Sequence, residues 1–153
     1  MSIDPELVGI LAARLDTESR ARLGRSLAVF PVFAGDCGGC ALEWAMLRST
    51  VHGLARHGIT VIDDPAGADV LLAMGALTHA LVAALQHAAA AMAPPYWVLA
   101  IGDCAGDGGV FARTAAVAGG IAAAVPVDVK VPGCPPPPEA ILDALLTVIA
   151  ANT

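Results

Sequence analysis

The chain opens with Asp4-Pro5-Glu6 ahead of the apolar residues Leu7, Val8, Ile10 and Leu11. An aspartate able to accept from free N–H groups, a proline at the first helical position and an acid on the positive helix end predict a short helix to about Leu15. Residues 17–24 predict a further turn or two. Residues 27–33 form an apolar run suited to a strand, and residues 40 to about 56 read as a helix closed by Gly58. Residues 59–62 are a second strand. A polar turn over 63–69 leads into a strand at 70–73 and a helix from about Thr78 to Met92, which Pro94-Pro95 ends. Residues 96–101 are a fourth strand. A glycine-rich loop, a weakly patterned helix within 112–124, a strand at 127–131 and a last helix from about Pro138 to Ala151 complete the chain.

Strands alternating with helices across short turns imply a parallel sheet with right-handed crossovers and helices on both faces. The expected fold is α/β, a flavodoxin-like doubly wound parallel sheet. The 153 residues suit one core, and no repeat, linker or low-complexity tract calls for a second. Residues 1–25 are expected to be an N-terminal helical extension and residues 26–153 the flavodoxin-like domain.

Composition refines this picture. Hydrophobic residues make up 57%, yet 33 residues are alanine and six are aromatic, so the interior is expected to be small side chains packed closely, helix against sheet. Charged residues are 14%, against about 25% in an average soluble protein. That excludes intrinsic disorder and implies that another protein covers part of the surface. Beyond residue 25, ten acids face only Arg48, Arg56, Arg113 and Lys130, which make neither a nucleic-acid footprint nor an anchor for anionic lipid. Residues 70–102 lack Asp, Glu, Lys and Arg, but Gly75, Thr78, His79, Gln86-His87 and Pro94-Pro95 divide them too finely for a membrane span. The opening Met-Ser-Ile-Asp-Pro-Glu-Leu shows no export signal, so a cytoplasmic location is expected.

The four cysteines carry most of the chemical information. Cys37 and Cys40 follow the first strand, Cys104 the fourth and Cys134 the fifth, so a parallel sheet would bring all of them to its carboxyl edge, where doubly wound folds bind ligands. Converging thiolates suit an iron–sulfur cluster, a structural zinc or two disulfides, and a reducing compartment disfavours the last. Zinc usually takes two local cysteine pairs, whereas only Cys37-Gly-Gly-Cys40 is one here. A 4Fe-4S cluster tolerates the dispersed set, and glycines beside all three loops (Gly35, Gly38, Gly39; Gly102, Gly106, Gly108, Gly109; Gly133) would let backbone wrap it and offer N–H groups to its sulfurs. On the cysteines alone, cluster and zinc both stay open. A thioredoxin-like reading of Cys37-Gly-Gly-Cys40 leaves Cys104 and Cys134 unexplained.

With these residues in view, the chain resembles the family shared by nickel–iron hydrogenase small subunits and the 20 kDa, or B-type, subunit of respiratory complex I. The resemblance runs from about Ala34 to Ala140. It rests on Gly35-Asp-Cys37-Gly-Gly-Cys40-Ala-Leu-Glu43, Asp69-Val-Leu-Leu-Ala-Met-Gly75, Trp97-Val-Leu-Ala-Ile-Gly102-Asp-Cys104-Ala-Gly-Asp-Gly108-Gly109 and Val131-Pro-Gly133-Cys134 with its proline run. It implies one 4Fe-4S cluster on Cys37, Cys40, Cys104 and Cys134. Complex I proteins have two adjacent cysteines at the first ligands and usually an arginine in the proline run, where this chain has a spaced pair and Pro137. The chain therefore looks like the compact small subunits of membrane-bound, complex-I-related (group 4) hydrogenases, with the short small subunits of cytoplasmic NAD-linked hydrogenases resembling its middle less.

That resemblance implies an oxidoreductase subunit relaying electrons between a ferredoxin-like iron–sulfur subunit and the active site of a hydrogenase-like large subunit. The complex would include integral membrane subunits, with this chain peripheral on the inner face of the cell membrane. A complex I role, passing electrons to quinone, and a zinc-bound structural module are the alternatives.

Glu43 is expected on the first turn of the helix that begins at the cluster, as a helix-end carboxylate or, from the resemblance, a residue of proton transfer or interface bonding. His52, His57, His79 and His87 show no ligand spacing and read as surface or helix-end residues. Trp44 and Trp97 read as packing residues, with Trp44 also a candidate for the large-subunit contact.

Overall fold

A computed structural model describes residues 4–24, 26–49 and 53–152. The helices are α1 (Pro5–Ala12), α2 (Thr17–Leu23), α3 (Gly39–Leu47), α4 (Val82–Ala91), α5 (Asp103–Asp107) and α6 (Pro138–Ala150). The strands are β1 (Leu27–Phe33), β2 (Ile59–Val61), β3 (Val70–Met74), β4 (Leu77–Thr78), β5 (Trp97–Ile101), β6 (Val117–Gly119) and β7 (Val129–Val131). Five strands form one parallel sheet in the order β2-β1-β3-β5-β7. Counted within that sheet the order is 2-1-3-4-5, the doubly wound flavodoxin arrangement expected from the sequence.

Burial on both faces explains why the central strands read as unbroken apolar runs. In β3, Val70, Leu72 and Met74 enter one core with Trp44 and Leu47 of α3 and Ile141, Leu145 and Val148 of α6. Its alternate residues Leu71 and Ala73 enter the other, with Leu85 and Ala89 of α4. Leu11 of α1 joins the first core at 1% exposure. Asp4 caps α1 by accepting from Glu6 N at 2.9 Å, as its sequence position implied. Arg14, just past α1, pairs with Asp128, donates to the Tyr96 carbonyl at 2.6 Å and lies 5.9 Å from the Trp97 ring. This cluster ties the N-terminal segment to residues that precede β5 and β7.

Three expected elements differ in the structure. The helix expected over 40 to 56 ends at Leu47, and Leu54–His57 is a separate 3-10 turn. Gly53 before that turn has φ 58, a left-handed backbone that cannot continue a right-handed helix, while Gly58 at φ 70 does close the turn; residues 50–52 lie outside the described set. The helix expected from Thr78 starts only at Val82, because Leu77 and Thr78 pair with β6 as an antiparallel ribbon and His79–Leu81 is a 3-10 turn. The weak helix within 112–124 is instead β6 followed by a 3-10 turn at Ile121–Ala123. Gly119 and Gly120 between them are poor helix formers, and a Cβ on Gly120 would lie 2.4 Å from Gly106 O, so backbone fills that space. Residues 70–102 are divided among β3, β4, α4 and β5, and among the described residues no helix is long and apolar enough to cross a membrane.

Candidate cofactor site

β1 delivers the chain to the carboxyl edge of the sheet at the point where the strand order reverses, the usual crevice of a doubly wound fold. There the loops after β1 and β3 cross in direct backbone contact. A Cβ on Gly35 would lie 2.4 Å from Ala76 O, and one on Gly75 would lie 2.5 Å from Asp36 N. Both glycines have left-handed φ, 97 and 89 degrees, so the crossing needs residues without side chains.

From that crossing the chain enters α3, with Cys40 in its first turn. Cys40, Trp44 and Leu47 fall at i, i+4 and i+7 and are all buried, which turns the Cys40 thiol inward. Its Sγ donates to the Ile101 carbonyl at 3.8 Å, at the end of β5. A Cβ on Gly102 would come within 2.7 Å of this Sγ, so the bare Gly102 backbone forms a wall of the site. Two residues on, Cys104 opens α5 and is also buried. Cys134 follows β7 and is exposed, as is Cys37. These two loops meet at Gly39, where a Cβ would contact Cys37 Sγ at 3.7 Å and Pro135 at 3.8 Å.

Thus the structure brings together the three loops that carry the four expected residues. Burial pushes the Cys40 thiol up to about 11, aided by Asp36 and then by Cys104, Cys37 and Cys134. Cys104 is raised first by burial, then by Cys134 and Cys37, with Asp103 and Asp36 adding. Each buried thiol feels neighbouring cysteines, so ionising them together is unfavourable until a cationic group sits among them. Among the described residues, no group of three His, Cys, Asp or Glu could hold a metal ion as they stand.

The free thiols should differ in reactivity. In the metal-free, reduced chain at pH 8, iodoacetamide should modify exposed Cys37 and Cys134 first and Cys40 last, since a pKa near 11 leaves about one Cys40 in a thousand as thiolate. Peptide mapping over time checks this, and early labelling of Cys40 would contradict the burial described.

Two residues near the cysteines escaped the sequence reading, namely Asp36 and Asp103. The signal was present, since each directly precedes a cysteine. Glu43 is the fifth residue of α3 and therefore in its second turn, not the first, and it is partly exposed. Trp44 is 2% exposed and packs in the core, so it does not belong to a surface contact. Trp97 is fully buried, as a packing residue should be. His57, His79 and His87 are exposed, and His52 lies outside the described residues.

The sequence from Cys37 onward matches the family model described as NADH ubiquinone oxidoreductase, 20 kDa subunit, over residues 37–148. The chain is 40% identical over 142 residues to a B-type subunit of the NADH-quinone oxidoreductase of Cytophaga hutchinsonii, covering 92% of this chain and 76% of that one. It is 35% identical over 142 residues to formate hydrogenlyase subunit 7 of Escherichia coli, covering 93% of this chain and 54% of the relative. Among solved structures, the membrane-bound sulfane sulfur reductase, an archaeal respiratory membrane complex, has a similar chain at TM-score 0.72 and 27% identity, over 90% of this chain and 77% of that one. A chain of an NAD-reducing nickel–iron hydrogenase shares the fold at TM-score 0.64 and 21% identity, over 82% of this chain and 92% of that one.

Proposed function

Because the chain belongs to the NADH ubiquinone oxidoreductase 20 kDa subunit family, we propose that it is the electron-relay subunit of an oxidoreductase complex and holds one 4Fe-4S cluster through Cys37, Cys40, Cys104 and Cys134. The observation that carries this reading is the meeting of three loops at one sheet edge, each contributing cysteine, around a wall kept bare by Gly102. The donor set suits iron and sulfide, since all four candidate ligands are thiols and the two buried ones lie within electrostatic reach of the exposed pair. When bound, the cluster accepts and releases one electron at a time.

The protein's own residues perform the rest. Cys40 and Cys104, both buried, and Cys37 and Cys134, both exposed, would hold the group between them. The spaced Cys37-Gly-Gly-Cys40 and Pro137 favour the hydrogenase-like branch of the family over the quinone-reducing one. In that reading a large subunit covers the cysteine loops and carries the reaction on hydrogen, a ferredoxin-like subunit exchanges electrons with this chain, and membrane subunits hold the complex at the inner face of the cell membrane. Support for the covering subunit comes from Phe33, Leu42, Met46, Val110 and Phe111, which are exposed apolar residues on or beside the cysteine-bearing segments.

Protein purified without oxygen should be brown and contain about four irons and four sulfides per chain. One zinc and no sulfide would establish the structural-zinc alternative instead. Glu43 is assigned to proton passage toward the large subunit, so Glu43→Gln should lower turnover of the complex with unchanged iron content and assembly. Full activity in that variant would restrict Glu43 to the helix surface.

A further inference from the structure

The end of β5 and the end of β7 stay paired beyond the strands themselves. Ile101 is in register with Val131, Gly102 N donates to Val131 O at 2.7 Å, and Asp103 N donates to Gly133 O at 2.9 Å. The Asp103 carboxylate then turns back, and its Oδ1 accepts from Gly133 N at 2.9 Å. Asp103 and Gly133 thus exchange two hydrogen bonds. Each is the residue immediately before a cysteine, Cys104 and Cys134. The backbone bond could be made by any residue at position 103 other than proline, whereas the second bond needs a short side chain with an acceptor.

We propose that Asp103 is a positioning residue that clamps the loop after β7 to the loop after β5 and so fixes Cys134 relative to Cys104. The inference rests on the proposed cofactor site, because its purpose is to hold two of the four ligands at a constant separation. Gly133 has φ 140, a conformation open to glycine, and a Cβ there would collide with Pro136 at 2.6 Å. The loop is therefore bent sharply against its own proline run, and the carboxylate holds the N–H that this bend turns toward β5. The bond lies at an exposed edge, where water screens the carboxylate charge so that the acceptor oxygen itself matters most, and where little packing would replace the contact.

The proline run gives a direct readout. Within residues 132–138 only Gly133 and Cys134 carry a backbone N–H, so a peptic peptide beginning at Lys130 reports on those two amides. Hydrogen exchange of the full-length chain should accelerate there by about tenfold in Asp103→Ala and change little in Asp103→Asn, which keeps an oxygen acceptor. Iron release to a chelator should follow the same order, several-fold faster in Asp103→Ala than in wild type or Asp103→Asn. Unchanged exchange in Asp103→Ala overturns the clamp. Accelerated exchange with equal iron release in all three proteins overturns its positioning role. Should Asp103→Ala fail to fold, Asp103→Asn carries the test, and loss of Gly133 protection in that folded variant overturns the proposal. Wild-type protein without iron and sulfide would overturn the cofactor reading, and the exchange data would then report on the loop pairing alone.

Discussion

Cys104→Ser should strip the protein of iron and sulfide and cost at least about 3 kcal/mol of folding stability, because the energy of binding a cofactor to ligands absent from the unfolded chain is also folding energy. The structure explains why this position should be among the most sensitive. Cys104 is buried in the first turn of a five-residue helix that cannot sustain itself, and Gly109 packs so closely that its Cβ would lie 3.2 Å from the Cys104 sulfur. A serine there is a poor ligand for iron and leaves a hydroxyl where the sulfur lay. The three cysteine loops would then keep the packing of the sheet edge and hydrogen bonds such as the Asp103–Gly133 pair, but lose the group that would tie their tips together. Iron and sulfide analysis, with urea unfolding under argon, checks both effects. A variant with full iron and wild-type stability would remove Cys104 from the ligand set.

Much of this arrangement was legible because its signals are local. Each central strand is a short apolar run bounded by turn residues, since a parallel strand covered on both faces has no polar side. Asp4-Pro5-Glu6 spells out a helix start, and the carboxyl-edge placement of the cysteines follows from strand polarity alone. The missed parts depend on partners distant in sequence. Leu77-Thr78 is too short to signal a strand, and it becomes one only because β6 pairs with it from about 40 residues away. Apolar residues in 112–124 permit a helix locally, but the close contact of Gly120 with Gly106 selects another course. The helix after Cys40 ends at Leu47, and the left-handed Gly53 keeps Leu54–His57 from continuing any right-handed helix before it, a sign of φ that is not written in the neighbouring residues.

The same limit applies at the site. The cysteines could be found by spacing, whereas the role of Asp103 depends on where Gly133 N points after a bend 30 residues downstream. Trp44 was ambiguous for a different reason. Adjacent to Glu43 in sequence, it sits about 100 degrees around the helix from it, and only the side on which Cys40 and Leu47 are buried shows that Trp44 faces the core. The large apolar side chains left exposed on α3 are accordingly Leu42 and Met46, not Trp44.

Those two residues carry the second large effect. Leu42 and Met46 are 69% and 56% exposed and stand at i and i+4, one above the other on the outer face of α3. They contribute little to the fold of this chain, so replacing them should leave it intact. If a large subunit covers the cysteine loops, both side chains are buried in the complex, each contributing about 1.5–3 kcal/mol of apolar burial. The double variant Leu42→Glu, Met46→Lys tests this, because a glutamate four residues before a lysine supports the isolated helix while placing two charges in the contact. Partner affinity should fall by at least about a hundredfold, with iron content and thermal stability of the free chain unchanged. Purification of the tagged chain from its native host, followed by identification and quantification of the bound subunits, gives the comparison. Retention of a hydrogenase-like large subunit at wild-type levels would place the interface elsewhere, and loss of iron along with the partner would mean that these residues support the cysteine loops themselves.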